Sequence, residues 1–440
     1  MKKYFYSLLH KYLSSYILPH NTLIEIQPIS NSAISHFSND NVTYRDYNAD
    51  QQFKNISNNL SYNITIDSPP DFLLIAGLIH YERDIENLFK SLFKICDNNT
   101  RLIITYYSGL WRPIFNLASK LGFRQKLPES NWLSHIDVEN ILKLQNFELI
   151  SNHQKIIFPF YIPLISNFLN RYIAPLPFFN FFCILNIAIA RPLPINNHLL
   201  NQSVSIVIPA RNESKNINEI IQRIPQMGEK DEIIFIEGGS SDNTWEKIKE
   251  VQANYGASKR ILTAQQFGNG KGDAVREGFK LASNEILMIL DADMTVAPED
   301  LTRFYDAITS GKGEFINGSR LVYPMKKNAM PFLNLIANKF FALAFAFVLG
   351  QRFKDTLCGT KVITRTNYIK LSSNRSFFGN FDPFGDFDLI FGATRMGLKI
   401  VEVPICYQER VYGTTNISRW KHGSILLLML LFAAKRIKFI

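Results

Sequence analysis

Cysteine is scarce. Cys96, Cys183, Cys358 and Cys406 lie far apart, and no Cys-x-x-Cys pair occurs. That excludes a zinc knuckle, gives no support to a disulfide framework, and fits a reducing compartment. Long apolar runs are lacking too. No uninterrupted run reaches the roughly 18 residues a spanning helix needs. Residues 156–190 are apolar and aromatic, but Pro159, Pro163, Pro175, Pro177, Asn167, Asn170 and Arg171 break them up. A final hairpin with buried loops is the favoured reading there, over an interfacial membrane loop. Near the N-terminus, His10, Lys11 and two serines interrupt the segment after Lys2 and Lys3. That is a poor signal-peptide core.

Acidic residues are missing from whole segments. None lies between Glu314 and Asp355, where Arg320, Lys326, Lys327, Lys339, Arg352 and Lys354 are basic, and none occurs after Glu409. The net charge is +10, which favours an anionic partner. Nucleic acid is the weakest choice, because these cations flank apolar segments instead of forming an exposed stripe.

What is present suits an α/β protein of two domains. The chain has 440 residues, 46% hydrophobic and 20% charged, ordinary for folded protein and long for one core. Thr22–Ile26, Asp71–Ala76 and Arg101–Tyr106 read as strands, with a helical pattern over Ile85–Phe93. Strands alternating with helices imply a parallel sheet. Residues 1–192 form this first domain. Residues 193–202 form a linker marked by Pro192, Pro194, Asn196 and Asn197. A second alternation runs through 203–410, with strands at Val204–Pro209, Glu232–Ile236, Phe315–Asn317 and Lys399–Val403. Residues 411–440 are a basic, apolar end. Phe332–Leu349 and Ile425–Ala434 suit helices lying in a membrane interface, and the first equally suits ordinary core.

Ile286 to Leu290 run as five apolar residues into Asp291-Ala292-Asp293. Such a run reads as a buried strand, and side chains two apart on an extended chain share a face. Asp291 and Asp293 are therefore expected together at the strand's carboxyl end, where open α/β sheets bind ligands. Paired carboxylates suit Mg²⁺ or Mn²⁺, and such an ion suits a nucleotide diphosphate. Alone, the pair also suits a capped turn. Lys271, beside Gly268, Gly270 and Gly272 at a helix start, suits a diphosphate or a plain helix cap.

Further motifs keep company with this pair: Pro209-Ala210-Arg211-Asn212-Glu213, Glu237-Gly238-Gly239-Ser240-Ser241-Asp242, Gly268 to Arg276, Gly318-Ser319-Arg320, Asp355 to Lys361, and Tyr412 to Asn416. In order and kind the set resembles family 2 glycosyltransferases of the GT-A fold, nearest to the polyprenyl- and dolichyl-phosphate sugar transferases, over residues 203–422. The resemblance implies an inverting, metal-dependent transfer from a UDP- or GDP-linked sugar to a lipid phosphate. The enzyme would sit peripherally on the cytoplasmic side of a membrane. It implies that Asp291 and Asp293 hold the metal. Pro209, Ala210, Arg211, Glu213, Glu237, Gly239, Ser240, Asp242, Lys271 and Asp273 would bind the nucleotide sugar. The usual second acid beside Glu237 is replaced by Gly238, which leaves the base open. Arg320 would meet phosphate in a two-pronged grip, helped by Lys326, Lys327 and Arg419. Asp386 or Asp388 would serve as a base for a hydroxyl acceptor, the alternative to a lipid phosphate. A further alternative is a non-catalytic scaffold binding nucleotide or lipid.

The first domain resembles class I S-adenosylmethionine-dependent methyltransferases more loosely. Leu23–Ile26 looks like their first strand, and Asp71–Ala76, followed by His80 and Asp84, like their fourth. Their glycine-rich turn is replaced by Gln27-Pro28-Ile29-Ser30-Asn31. Bulkier residues keep the backbone from approaching a cofactor, so a Rossmann-like sheet without S-adenosylmethionine binding is expected.

Overall fold

The computed structural model describes residues 2–17, 21–26, 43–47, 68–82, 84–122, 131–194, 199, 201–323, 332–375, 385–410, 412 and 419–440. For residues 2, 43–47, 332, 386 and 419–422 it describes the backbone alone. The turn 27–31, Lys326, Lys327 and residues 413–416 lie outside the described residues, as do the side chains of Asp386, Arg419 and His422.

Two compact units form. One is Met1–Ile195 with Lys435–Ile440, the other Asn196–Ala434. The last six residues thus belong to the first unit and not to a separate terminal segment.

The first unit is built on β1 (Thr22–Ile26), β2 (Thr43–Tyr47), β3 (Phe72–Ala76), β4 (Arg101–Tyr107), β5 (Phe147–Lys155) and β6 (Leu185–Pro192). Their order is β2-β1-β3-β4-β6-β5. Only β6 is reversed, antiparallel to both β4 and β5. The helices are α1 (Lys2–Leu13), α2 (Ile85–Phe93), α3 (Arg112–Lys120), α4 (His135–Leu144) and α5 (Ile165–Phe168). Alternate strand residues point to opposite faces. Leu23, Phe72, Leu74 and Ile103 pack with Leu8, Leu9, Tyr12 and Leu13 of α1. Ile24, Leu73, Ile75, Leu102 and Ile104 pack with Leu88, Phe89 and Leu92 of α2 and with Val138 and Leu142 of α4. Capping sets where these helices begin. Asp84 accepts the N–H of Asn87, and Ser134 and Asp137 cap α4 reciprocally.

Residues 156–184 differ from expectation. The β5–β6 hairpin forms, but its connection is not buried: Phe160, Tyr161, Leu164, Phe168, Phe178 and Phe181 are exposed.

The second unit holds β7 (Val204–Ala210), β8 (Glu232–Glu237), β9 (Arg260–Gln265), β10 (Ile286–Ile289), β11 (Phe315–Ser319), β12 (Lys361–Thr364) and β13 (Ile400–Pro404). They lie in the order β13-β11-β12-β10-β7-β8-β9. β10, β7, β8 and β9 run parallel, and β12 is antiparallel to β10 and β11. From β7 the chain proceeds to β8 and β9 on one side and returns to β10 on the other. That reversal opens a crevice at the carboxyl ends of β7 and β10. The helices are α6 (Ile217–Arg223), α7 (Thr244–Tyr255), α8 (Lys271–Leu281), α9 (Leu301–Thr309), α10 (Phe332–Leu349), α11 (Arg365–Ser373), α12 (Asp386–Arg395) and α13 (Arg419–Ala433). α8 approaches the sheet closely because Gly278 faces Val207, where any Cβ would overlap that side chain.

α10 has two apolar faces. Phe341, Phe345, Val348 and Leu349 are buried, with the Phe345 ring 4.9 Å from that of Phe387 on α12. Leu333, Ile336, Phe340 and Leu343 are exposed. α13 likewise buries Leu426, Met429 and Leu430 and exposes Leu427, Leu428 and Leu431. Among the described residues, no helix is long and apolar enough to cross a membrane.

Candidate active site

Two loops at the carboxyl end of the parallel strands are laced together. The Asn212 N–H donates to Ser240 Oγ (3.0 Å), and the Ser241 N–H donates to Asn212 Oδ1 (2.7 Å). The Glu213 N–H donates to Thr244 Oγ1 (2.9 Å), and the Ser214 N–H to Asp242 Oδ2 (3.4 Å). Asn212 and Gly239 adopt positive φ, 56° and 69°. The loops after β7 and β8 therefore form one ledge. Pro209 and Ala210 end β7 beneath it, and Arg211 is exposed on it.

Glu237 is buried in this ledge. Its carboxylate accepts the Ser240 N–H (2.5 Å) and Gln265 Nε2–H (3.2 Å). Asp242 accepts from the N–H and hydroxyl of Thr244. Burial raises its pKa, but the hydrogen bonds from Thr244 and Ser214 outweigh that and hold it below the usual carboxylate range. Both acids fasten the ledge to itself.

β10 ends at Ile289, two residues before Asp291. Asp291-Ala292-Asp293 lies in a turn, and Met294 has φ 55°. The expected extended pair is thus replaced by two carboxylates with different partners. Asp291 Oδ1 is 2.5 Å from Lys271 Nζ. Asp293 Oδ2 is 2.7 Å from Arg410 Nη2, while its Oδ1 accepts from the Thr295 N–H and hydroxyl. The turn, not strand periodicity, sets their directions.

Lys271 opens α8 directly after Gly270, whose φ is 85°. The Asp273 carboxylate accepts the Gly268 N–H (2.9 Å) and so closes the glycine loop. Gly359 backs onto the ion pair, since a Cβ there would overlap both Asp291 Oδ2 and Lys271 Nζ. Burial alone would raise the pKa of Asp291. Lys271, with Lys361 and Arg320 nearby, overrides this and keeps the carboxyl below its ordinary value. Gly385, at φ 74°, lies against the Gly272 backbone, which brings the start of α12 beside the start of α8.

The two-pronged grip of Arg320 closes on a protein acid. Its Nε is 2.6 Å from Asp355 Oδ2 and its Nη2 is 2.9 Å from Oδ1. Its guanidinium also lies 5.3 Å from the Tyr407 ring centroid. Asp388 pairs with Arg375 at 2.8 Å. Burial pushes its pKa up against the pull of Arg375 and Arg276.

Arg410 is the feature with no warning in the sequence. It reaches Asp293 and also Glu213, at 3.1 Å. Asn216 bridges Glu213 to the Ala292 carbonyl. Burial pushes Glu213 up to about 7, against the pull of Arg410. Tyr412 comes two residues later, its ring 4.9 Å from Lys215 Nζ. The segment after β13 therefore folds back onto the ledge.

A glycine-rich helix start, a lysine–aspartate pair and a ledge of two laced loops converge at a sheet switch point. The model of glycosyl transferase family 2 matches residues 205–371. A glycosyltransferase AglJ from Haloferax volcanii is 31% identical over 236 residues, which are 53% of this chain and 72% of that protein. The chain belongs to glycosyl transferase family 2. A dolichol-phosphate mannosyltransferase from Pyrococcus furiosus is 34% identical, over 49% of this chain and 59% of its own. A polyprenol monophosphomannose synthase from Mycolicibacterium smegmatis is 29% identical, over 49% and 82%. The second unit is accordingly an α/β domain of the GT-A kind, and the protein is a glycosyltransferase. Two of these relatives bear the names of lipid-phosphate sugar transferases.

Proposed function

We propose that this glycosyltransferase moves a sugar, with inversion, from a UDP- or GDP-linked donor to a polyprenyl-type lipid phosphate, as a peripheral protein on the cytoplasmic side of a membrane. The observation carrying this reading is the meeting of Lys271, Asp291 and Gly359 at the start of α8. A lysine and a helix N-terminus together favour a diphosphate, and Gly359 makes room for the Lys271–Asp291 pair itself. The names of the relatives and the acid-free basic segment before Asp355 support a phosphate acceptor. Such an acceptor is already anionic and needs no base, in keeping with an Asp388 paired to Arg375.

The donor set suits a divalent ion. Asp291 and Asp293 offer hard oxygens, and both side chains are partly exposed, 26% and 17%. Among the described residues no group of three or more His, Cys, Asp or Glu gathers there, so diphosphate oxygens and water would complete a six-coordinate Mg²⁺ or Mn²⁺. When bound, that ion would offset charge on the departing nucleoside diphosphate. On this reading Lys271 and the first N–H groups of α8 orient the diphosphate, Arg410 holds Asp293 in place, and the ledge from Pro209 to Asp242 carries base and ribose. Asp291→Ala and Asp293→Ala are each expected to lower metal-dependent transfer to polyprenyl phosphate on the order of 100-fold or more. Full transfer in both variants would overturn the assignment. Calorimetry with nucleotide and Mn²⁺ reads donor binding separately.

The first unit is read as a methyltransferase-type sheet without a cofactor. Its parallel run β2-β1-β3-β4 with helices on both faces supports the fold. Titration with S-adenosylmethionine is expected to release no heat; saturable binding would refute this.

A further inference from the structure

Most loops turn polar side chains to water and apolar ones to the core. The connection between β5 and β6 does the reverse. Asn170 and Ser166 are buried, and both serve the loop's own backbone. Asn170 Oδ1 accepts the N–H groups of Ile157 (3.0 Å) and Phe158 (2.9 Å), and its Nδ2 donates to the Phe158 carbonyl (2.7 Å). Ser166 Oγ accepts the Ile162 N–H (2.6 Å) and donates to the Phe160 carbonyl (2.7 Å). Ile156, Ala174, Cys183 and Ile184 are buried, but the large side chains between them, Phe160, Tyr161, Leu164, Phe168, Phe178 and Phe181, face outward. The two most exposed, Leu164 at 85% and Phe178 at 73%, have φ of 65° and 71°. A left-handed backbone is costly for such residues, and here it accompanies side chains left largely exposed, the Phe178 ring meeting only the neighbouring loop rings of Phe179 and Phe182 edge-on.

The face extends beyond the loop. The Trp111 indole N–H donates to the Phe182 carbonyl (3.0 Å), fastening the start of α3 to it. On and just after α3, Ile114, Leu117 and Leu121 are exposed, and so are Arg112 and Lys120. The loop's own stretch of sequence carries no acid. No Asp or Glu occurs from Leu149 to Asn212. Arg171 donates to the Phe439 carbonyl, which joins the loop to the tail that carries exposed Lys435 and Arg436.

We propose that this face inserts into the headgroup and upper acyl region of an anionic lipid bilayer, making the first unit a membrane dock. Hydrocarbon demands that backbone polar groups be satisfied internally, which Asn170 and Ser166 do. Aromatic side chains settle at the interface, and the exposed cations Arg112, Lys120, Lys435 and Arg436, with a loop that carries no acid, complement anionic headgroups. The inference stands on the first unit alone and does not depend on which sugar or acceptor the second unit uses.

The test is co-sedimentation of the full-length protein with vesicles of phosphatidylcholine, with and without phosphatidylglycerol. The double variant Leu164→Asn, Phe178→Asn is the probe, because asparagine tolerates a left-handed backbone and so preserves the fold. Wild type is expected to partition onto anionic vesicles. The double variant should fall about 100-fold, roughly tenfold per lost apolar side chain, with gel-filtration volume and nucleotide binding unchanged. Three results would overturn the proposal: no vesicle binding by wild type, equal binding by the variant, or a wild-type dimer that the variant splits into monomers. Retained nucleotide binding keeps a failure here distinct from a failure of the sugar-transfer reading.

Discussion

Gly359 has no chemistry of its own, yet the site depends on its lack of a side chain. A methyl group there would occupy the space of Asp291 Oδ2 and Lys271 Nζ. Gly359→Ala is expected to lower transfer about 100-fold while moving the thermal midpoint little, since the displaced groups are side-chain ends at a partly open surface. Activity close to wild type would show that the ion pair does not orient the donor. Asp291, Lys271 and the 355–361 motif all stand out in the sequence. Their meeting does not, because the pair joins two separate loops. Arg410 makes the same point more sharply, lying 117 positions from Asp293. No local pattern announces a long-range ion pair, because side-chain charge carries no address. Glu237, Asp242 and Asp273 read as ligand-facing, yet each carboxylate accepts backbone N–H groups within five residues. Turn chemistry and ligand chemistry use the same residue types, so sequence alone does not separate them.

Helices and strands explain how these groups are aimed. α12 starts at Gly385, in a left-handed conformation and against the backbone of Gly272 at the start of α8. Gly385→Ala combines backbone strain with overlap on an immovable chain. A stability loss of roughly 2 kcal/mol or more is expected, read by urea denaturation, together with a raised KM for the donor. An unchanged KM would show that α12 does not set the geometry of α8. Periodicity makes many elements legible. The pattern over Ile85–Phe93 coincides with α2, and Phe72–Ala76 and Arg101–Tyr107 lie where apolar runs place strands. β2, β9 and β12 carry no such signal: Thr43–Tyr47 is polar, Arg260–Gln265 is a half-exposed edge, and Lys361–Thr364 is only four residues long. Such segments take their conformation from the neighbours they pair with.

The first unit has an unusual interior. Lys155 is buried, donating to the Lys438 carbonyl (3.2 Å) and lying 4.8 Å from the Tyr12 ring centroid. Burial pulls its pKa down to about 7, and the Lys438 charge adds to this. The folded-state value lies below the ordinary 10.5, so the unfolded chain binds more protons between those limits. Folding stability should therefore rise as pH climbs from about 7 toward 10, by up to roughly 1.4 kcal/mol per pH unit from this group. Lys155→Met should flatten that rise in urea midpoints measured across the range. An identical slope in the variant would show that Lys155 keeps its charge in the fold.

Apolar periodicity marks the two α/β units and most of their strands, because backbone pairing and burial act on neighbouring residues, while the family motifs are legible only by resemblance. The partners of Asp291, Asp293 and Arg320 emerge only from packing. So do the turn that breaks the aspartate pair and the outward-facing aromatic loop. The ion pairs depend on residues far apart in the chain being brought within a few ångströms, and the turn and the loop on which of several competing polar contacts the folded geometry permits.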